Sequence, residues 1–167
     1  MSASPSPRLQ ECNCLAIRQA ARHVTQFYDQ LFAPVGLRAT QFAILSRLAR
    51  SGPMTINALA AALVMDRTTL GRNILPLQRD GLIEIVASPA DRRRRELRLS
   101  PAGADKQRQA VDRWTIAQSR FDAVFGEERA TTLRGLLREV AASDFASPPG
   151  GQEVKDTAGR TMSKLSP

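Results

Sequence analysis

Two groups of side chains hold most of the chemistry in this sequence. Arg67, Thr68, Thr69, Arg72 and Asn73 fall within two turns of a helix-forming run, and Asp91-Arg92-Arg93-Arg94-Arg95 sets an acid before four guanidinium groups. Arginine is the cation suited to bidentate pairing with phosphate and with guanine edges. Four in succession repel one another unless an anion lies close. A third group is Cys12 and Cys14. On one helix their side chains point about 200° apart, so no bond between them within a chain is expected. Two thiols are also too few for a metal site. Inert packing, pairing across a two-fold axis and redox sensing stay open for them. His23, the single histidine, lies beside an apolar stripe and reads most simply as a helix residue. No Gly-x-Ser-x-Gly, no phosphate-binding Gly-x-x-x-x-Gly-Lys and no histidine pair is present, so no catalysis, no cofactor and no metal is expected.

The elements that must hold the arginines lie in residues 55–99. Ile56, Leu59, Ala60 and Leu63 share one face of a predicted helix over 56–64. Asp66 stands at an N-cap position before a second periodic run, Leu70, Ile74 and Leu77, that ends at Gly81. Residues 82–86 and 96–99 are strand-like, joined by a turn that contains Ser88-Pro89 and the arginine run. Two short helices and a hairpin with a cationic tip make a winged helix-turn-helix. Its second helix would enter a DNA major groove and its tip a minor groove, whose negative potential attracts arginine.

Charge and length agree with this. The 167 residues carry 24 Lys and Arg against 16 Asp and Glu, a net charge of +8. Such a balance also fits RNA or an anionic membrane surface, but no apolar run approaches the roughly 18 residues of a membrane span. The polar start, Met1 to Pro7, is unlike a signal peptide, so a cytoplasmic location is expected. Two cysteines make no disulfide framework.

Long helices flank the module. Residues 9–33 carry Ala16, Ala20, Val24, Phe27 and Leu31 at helical spacing, before Pro34 and Gly36 break the run. That helix would be about 37 Å long, more than its own module covers. Thr40 is the expected cap of a helix over 41–49. Ser100-Pro101 opens another long helix, with Val111, Trp114, Ala117, Phe121, Val124 and Phe125 up to Gly126, and a last one from Glu127 carries Leu133, Leu136, Leu137 and Val140. The expected organisation is a disordered tail over 1–8, an N-terminal dimerisation helix over 9–36, the DNA-binding module over 37–100, C-terminal dimerisation helices over 101–146 and a disordered tail over 147–167. The fold class is mainly α with a small β-hairpin wing, and the surplus apolar stripe calls for a second subunit.

Residues 9–142 resemble the MarR family of winged-helix regulators. The likeness rests on Leu37-Arg38-Ala39-Thr40-Gln41-Phe42, on Leu59-Ala60 with Thr69-Leu70-Gly71-Arg72, on Asp80-Gly81-Leu82-Ile83, and on Asp91-Arg92-Arg93 with Leu99-Ser100-Pro101-Ala102-Gly103. The resemblance implies a homodimer on an inverted repeat of double-stranded DNA, most simply as a repressor. It implies Arg72 as a recognition-helix contact and Arg93 as the wing arginine, with Asp91 orienting it. From residue type alone Asp91 is equally an ordinary turn former, and Arg94 and Arg95 are expected toward backbone or solvent. Gly71 and Pro76 depart from the family pattern, and Pro76 is expected to kink or tighten its helix. Members commonly bind small aromatic carboxylates in a crevice that Arg18, Arg22, His23 and Tyr28 would line here. One branch senses hydroperoxides, and Cys14 with Arg22 and Tyr28 resembles that arrangement, although Arg18 and Ala39 stand where the sensor has further tyrosines. The competing expectation is a ligand- or redox-binding dimer without a DNA role.

Overall fold

The computed structural model describes residues 9–89, 91 and 93–145. The expected tails over 1–8 and 147–167, and Arg92, lie outside them. In order the elements are a short 3-10 turn (Leu9–Glu11), α1 (Asn13–Phe32), a second 3-10 turn (Ala33–Val35), α2 (Ala39–Ser51), α3 (Ile56–Ala62), α4 (Arg67–Arg79), β1 (Ile83–Ala87), β2 (Arg95–Leu99), α5 (Pro101–Phe125) and α6 (Glu127–Ala142). The chain is mostly helical with one antiparallel hairpin, as the sequence implied.

The central core gathers one face of every element in the module. Leu45 and Leu48 of α2, Leu59 of α3, Leu70, Ile74 and Leu77 of α4, Ile83 of β1 and Leu97 of β2 are buried together. Phe32 at the end of α1 and Ala110 of α5 join them, and Phe32 stacks on Phe42 with ring centroids 4.7 Å apart. Burying each large aliphatic or aromatic side chain contributes about 1.5–3 kcal/mol. The hairpin pairs Ile83 with Leu99 through Ala87 with Arg95. Met54 adds an isolated bridge to β2, exchanging both backbone hydrogen bonds with Leu97 at 2.8 and 3.0 Å. Arg98 of β2 pairs with its cross-strand partner Glu84 at 2.7 Å, so this arginine is neutralised on the hairpin.

Helices α1, α2 and α3 differ from the sequence expectation at their ends, and α2 also runs on to Ser51. Helix α2 starts at Ala39, and Thr40 lies inside it. Its first amides are met from elsewhere: Asp29 Oδ1 accepts from Ala39 N–H at 2.7 Å and Gln41 Oε1 from Arg38 N–H at 2.9 Å. Helix α3 stops at Ala62, two residues early, because Val64 takes a left-handed φ of 52°. Met65 N–H then bonds Ala60 C=O at 2.9 Å and Val64 N–H bonds Ala61 C=O at 3.2 Å. That is the Schellman pattern, which satisfies two orphan carbonyls. Arg47 of α2 donates to Ala62 C=O at 3.3 Å, and so ties the turn to the core. Cys12 caps α1 instead of lying on it, its Sγ accepting from Leu15 N–H at 3.4 Å. Pro76 remains within one unbroken α4, at the cost of the amide bond that residue 76 would give Arg72 C=O.

Helix α5 meets the module at a glycine. Ser100 Oγ accepts from Gly103 N–H at 2.9 Å and donates to Gly81 C=O at 2.6 Å, while Ser100 N–H bonds Leu82 C=O at 3.1 Å. Leu82 N–H in turn bonds Leu77 C=O of α4 at 2.8 Å. Gly103 faces the Leu82 backbone so closely that a Cβ would lie 1.9 Å from its oxygen. The end of α4, the root of the hairpin and the start of α5 therefore converge on Leu82.

Candidate nucleic-acid interface

Asp66 fixes the start of α4. Its Oδ1 accepts from Thr69 N–H at 2.8 Å. Hydrogen bonds from the Thr69 side chain and amide hold the Asp66 carboxyl below its ordinary value. Because Leu70, Ile74 and Leu77 are buried, the opposite side of α4 must face outward. At about 100° per residue that outer stripe is Thr68, Arg72, Leu75 and Arg79, spread over roughly 60°. Arg67 and Thr69 stand roughly at right angles to it, one on each flank. The positive end of the helix dipole lies at Arg67 and favours a phosphate there.

The sequence-predicted α4 residues thus separate by direction. Thr68 and Arg72 point away from the core, and Arg67 and Thr69 border them. Asn73 does not join the outer stripe: its amide donates to Thr69 C=O at 2.9 Å on its own helix. Leu75 and Arg79 were not among the predicted residues. The signal that could have found them was the stripe complementary to Leu70, Ile74 and Leu77. Leu75 is 64% exposed, an aliphatic side chain standing in solvent. Arg79 bonds its neighbour Asp80 at 3.2 Å.

In the hairpin turn Asp91 acts on backbone. Its Oδ1 accepts from Arg93 N–H at 3.0 Å, and its C=O accepts from Arg94 N–H at 2.9 Å. Its other oxygen lies 3.8 Å from Arg94 Nε. Of the two readings of Asp91, these bonds are those of the turn former. Asp91 shapes the turn on which Arg93 stands, and its charge faces Arg94. Ser88 N–H closes the turn on Arg94 C=O at 2.9 Å. Arg93, Arg94 and Arg95 are exposed, and Arg95 begins β2 opposite Ala87. Among the described residues Arg67, Arg72 and Arg93 have no acid partner. Free guanidiniums on an outward helix face and on a hairpin tip of the same module suit phosphate and base edges.

The predicted sensing residues lie apart from this surface, along α1. Cys14, Arg18 and Arg22 recur every four residues and are exposed. Tyr28 is half-buried and donates to Gln118 Oε1 of α5. Burial, with the charge of Asp122, raises its phenol pKa, partly offset by Arg134. Cys14 and Tyr28 are fourteen residues apart on one helix, about 21 Å, so a single chain does not bring them together. Nor do Arg18, Arg22, His23 or Tyr28 line either of two open crevices. One, of about 690 Å³, lies between the α1–α2 junction and the end of α4, with Arg38, Gln41, Asp29, Arg79 and Asp80 on its walls. The other, of about 350 Å³, lies between α2, β2 and α5 and includes Arg98 and Arg108. Among the described residues no group of three or more His, Cys, Asp or Glu could hold a metal ion, and no helix is long and apolar enough to cross a membrane.

Comparison with known proteins gives this geometry a setting. The MarR family profile matches residues 35–94, from the end of α1 to the wing. A protein assigned as transcriptional regulator of the hcr operon in Thauera aromatica is 30% identical over 142 residues, 83% of this chain and 79% of that protein. The repressor CouR of Rhodococcus jostii RHA1, solved on a 23-mer DNA duplex, superposes with a TM-score of 0.72 at 25% identity, over 84% of this chain and 99% of CouR. BpsR of Bordetella bronchiseptica, whose DNA binding is regulated by 6-hydroxynicotinic acid, superposes at 0.75, with 21% identity over 84% of this chain and 100% of its own, and supports the fold alone. The chain belongs to the MarR family of winged-helix, DNA-binding transcriptional regulators.

Proposed function

We propose that the protein is a homodimeric repressor that binds an inverted repeat, with α4 in the major groove and the hairpin tip in the minor groove. The observation that carries this is the shared outward exposure of Thr68 and Arg72 on α4 and Arg93 on the tip, with no acid among the described residues to neutralise either arginine. Arg67 and Thr69 flank that stripe toward phosphates, and Arg94 and Arg95 add charge to the tip. The second subunit is inferred from α1, α5 and α6, which leave Ile17, Val111, Trp114, Ile116, Leu136, Leu137 and Val140 substantially exposed. A partner would cover them, and would set two α4 helices about 34–36 Å apart for successive major grooves.

Release is inferred to follow a small anionic effector, or oxidation of Cys14, that favours a dimer of different spacing. The crevice lined by Arg38 supports the first route, since a guanidinium pairs a carboxylate. The second needs a partner subunit to supply what Tyr28 of the same chain cannot. A DNA-free role as a ligand-binding or redox-binding dimer is the competing function.

Selection of duplexes from a random pool, followed by titration across salt concentrations, tests the proposal. The selected site is expected to be an inverted repeat whose affinity falls steeply with salt. Arg93→Ala should lower affinity and reduce the salt slope by about one while the protein stays folded. Failure to select any duplex, or unchanged binding by Arg93→Ala, would overturn the DNA-binding assignment or the wing assignment respectively.

A further inference from the structure

We propose that Leu75 is a specificity-determining residue that reads the C5-methyl group of a thymine in the major groove. The inference rests on the placement of α4 proposed above. Helix α4 has already given Leu70, Ile74 and Leu77 to the core, yet it holds a fourth large aliphatic side chain 64% exposed. Leu75 lies three residues after Arg72 and four before Arg79, at one edge of the outer stripe. Arg72, one turn before it, has no acid partner among the described residues and attracts a polyanion, while Arg79, one turn after it, is paired with Asp80 at 3.2 Å. In the major groove the apolar feature of a base pair is the thymine methyl. An aliphatic tip one turn past an unpaired guanidinium therefore matches a thymine whose neighbouring phosphate or guanine takes Arg72. Leu75 is a full two turns beyond the helix start, so the thymine would lie deeper along the recognition helix than the bases reached by Thr68.

The test replaces thymine by deoxyuridine, which removes only the methyl group, one position at a time in the duplex selected from the random pool. Wild-type protein should lose about fourfold in affinity at one thymine per half-site, the transfer free energy of a single methyl, and should be indifferent at the others. Leu75→Ala should bind the thymine and the deoxyuridine duplexes alike. Thermal unfolding of this variant should match wild type because the side chain is mostly in solvent. If a duplex is selected and bound in a salt-dependent way but no deoxyuridine position weakens wild type, Leu75 reads no methyl and this inference fails while the DNA-binding proposal stands. If Leu75→Ala keeps the full methyl preference, another residue reads it and the inference fails equally. If no duplex is selected at all, the DNA-binding proposal has failed and Leu75 has no thymine to read.

Discussion

Replacing Gly103 with alanine sets helix propensity against packing, and the two have opposite signs. Glycine within a helix costs about 1 kcal/mol relative to alanine, so propensity alone forecasts a more stable protein. At Gly103, however, a Cβ would lie 1.9 Å from the Leu82 carbonyl oxygen and 2.9 Å from its carbon. Both partners are backbone, so no side chain can swing aside. Helix α5 must lift away from the hairpin root by more than an ångström. Overpacking of this kind costs about 1–3 kcal/mol. The same carbonyl accepts from Ser100 N–H, and weakening that bond costs about 1 kcal/mol more. The net expectation is a loss of about 2 kcal/mol, or about 4–8 °C in Tm for a chain of this size. Thermal and urea unfolding at one fixed protein concentration would measure it. Gly71→Ala is the control, because nothing lies within 4 Å of its Cβ position; it should gain up to about 1 kcal/mol. A Gly103→Ala protein as stable as wild type, alongside a stabilised Gly71→Ala, would refute the close approach of α5 to Leu82.

Two other perturbations follow. Val64 is β-branched, takes φ 52° and is 76% exposed, so Val64→Gly should relieve about 1–2 kcal/mol of left-handed strain. Offset by the extra chain entropy of glycine, this leaves a gain of roughly 0.5–1 kcal/mol in chemical denaturation, and Val64→Ala, which keeps a Cβ, should gain much less. The Asp66 carboxyl is held below its ordinary 3.8, so the stability it contributes is present above about pH 4 and is lost as pH falls through the lower folded-state value. Asp66→Asn retains a capping oxygen without the titration, so its unfolding profile below about pH 4 should be flatter than that of wild type.

What the sequence disclosed was what local chemistry decides. Asp66 and Ser100 cap the helices they precede, Gly81 and Gly126 stop the ones before them, and the alternation around Ile83 and Leu97 places the hairpin. Each of those signals lies within a few residues of its effect. The Ala39 start of α2 was hidden because its amide is met by Asp29, ten residues earlier on another helix. The early end of α3 was hidden because valine is a poor candidate for the left-handed residue of a Schellman turn. At the candidate interface, residue types announced a cationic surface, but direction did not follow from type. Asn73 and Arg72 are adjacent in the chain, yet one turns back on its helix and the other faces out. Leu75 lies off the predicted apolar run of Leu70, Ile74 and Leu77, and only the stripe complementary to that run marks it as outward. Asp91 reads equally as a partner for a side chain or as a turn former, and residue type does not choose; its carboxylate accepts from the amide two residues on.

The convergence at Leu82 also turns helix α5 into a lever. With the Ser100 hydroxyl bonded to Gly81 past the α4 terminus and the Ser100 amide to Leu82 at the hairpin root, neither part can pivot independently without breaking these bonds. A 25-residue shaft is about 37 Å long, so tilting it by about 5° carries its far end through about 3 Å. That is close to one base-pair step of about 3.4 Å. In the proposed dimer, a molecule wedged near either end of the shaft would shift the two heads out of phase with the duplex, with no rearrangement inside either head.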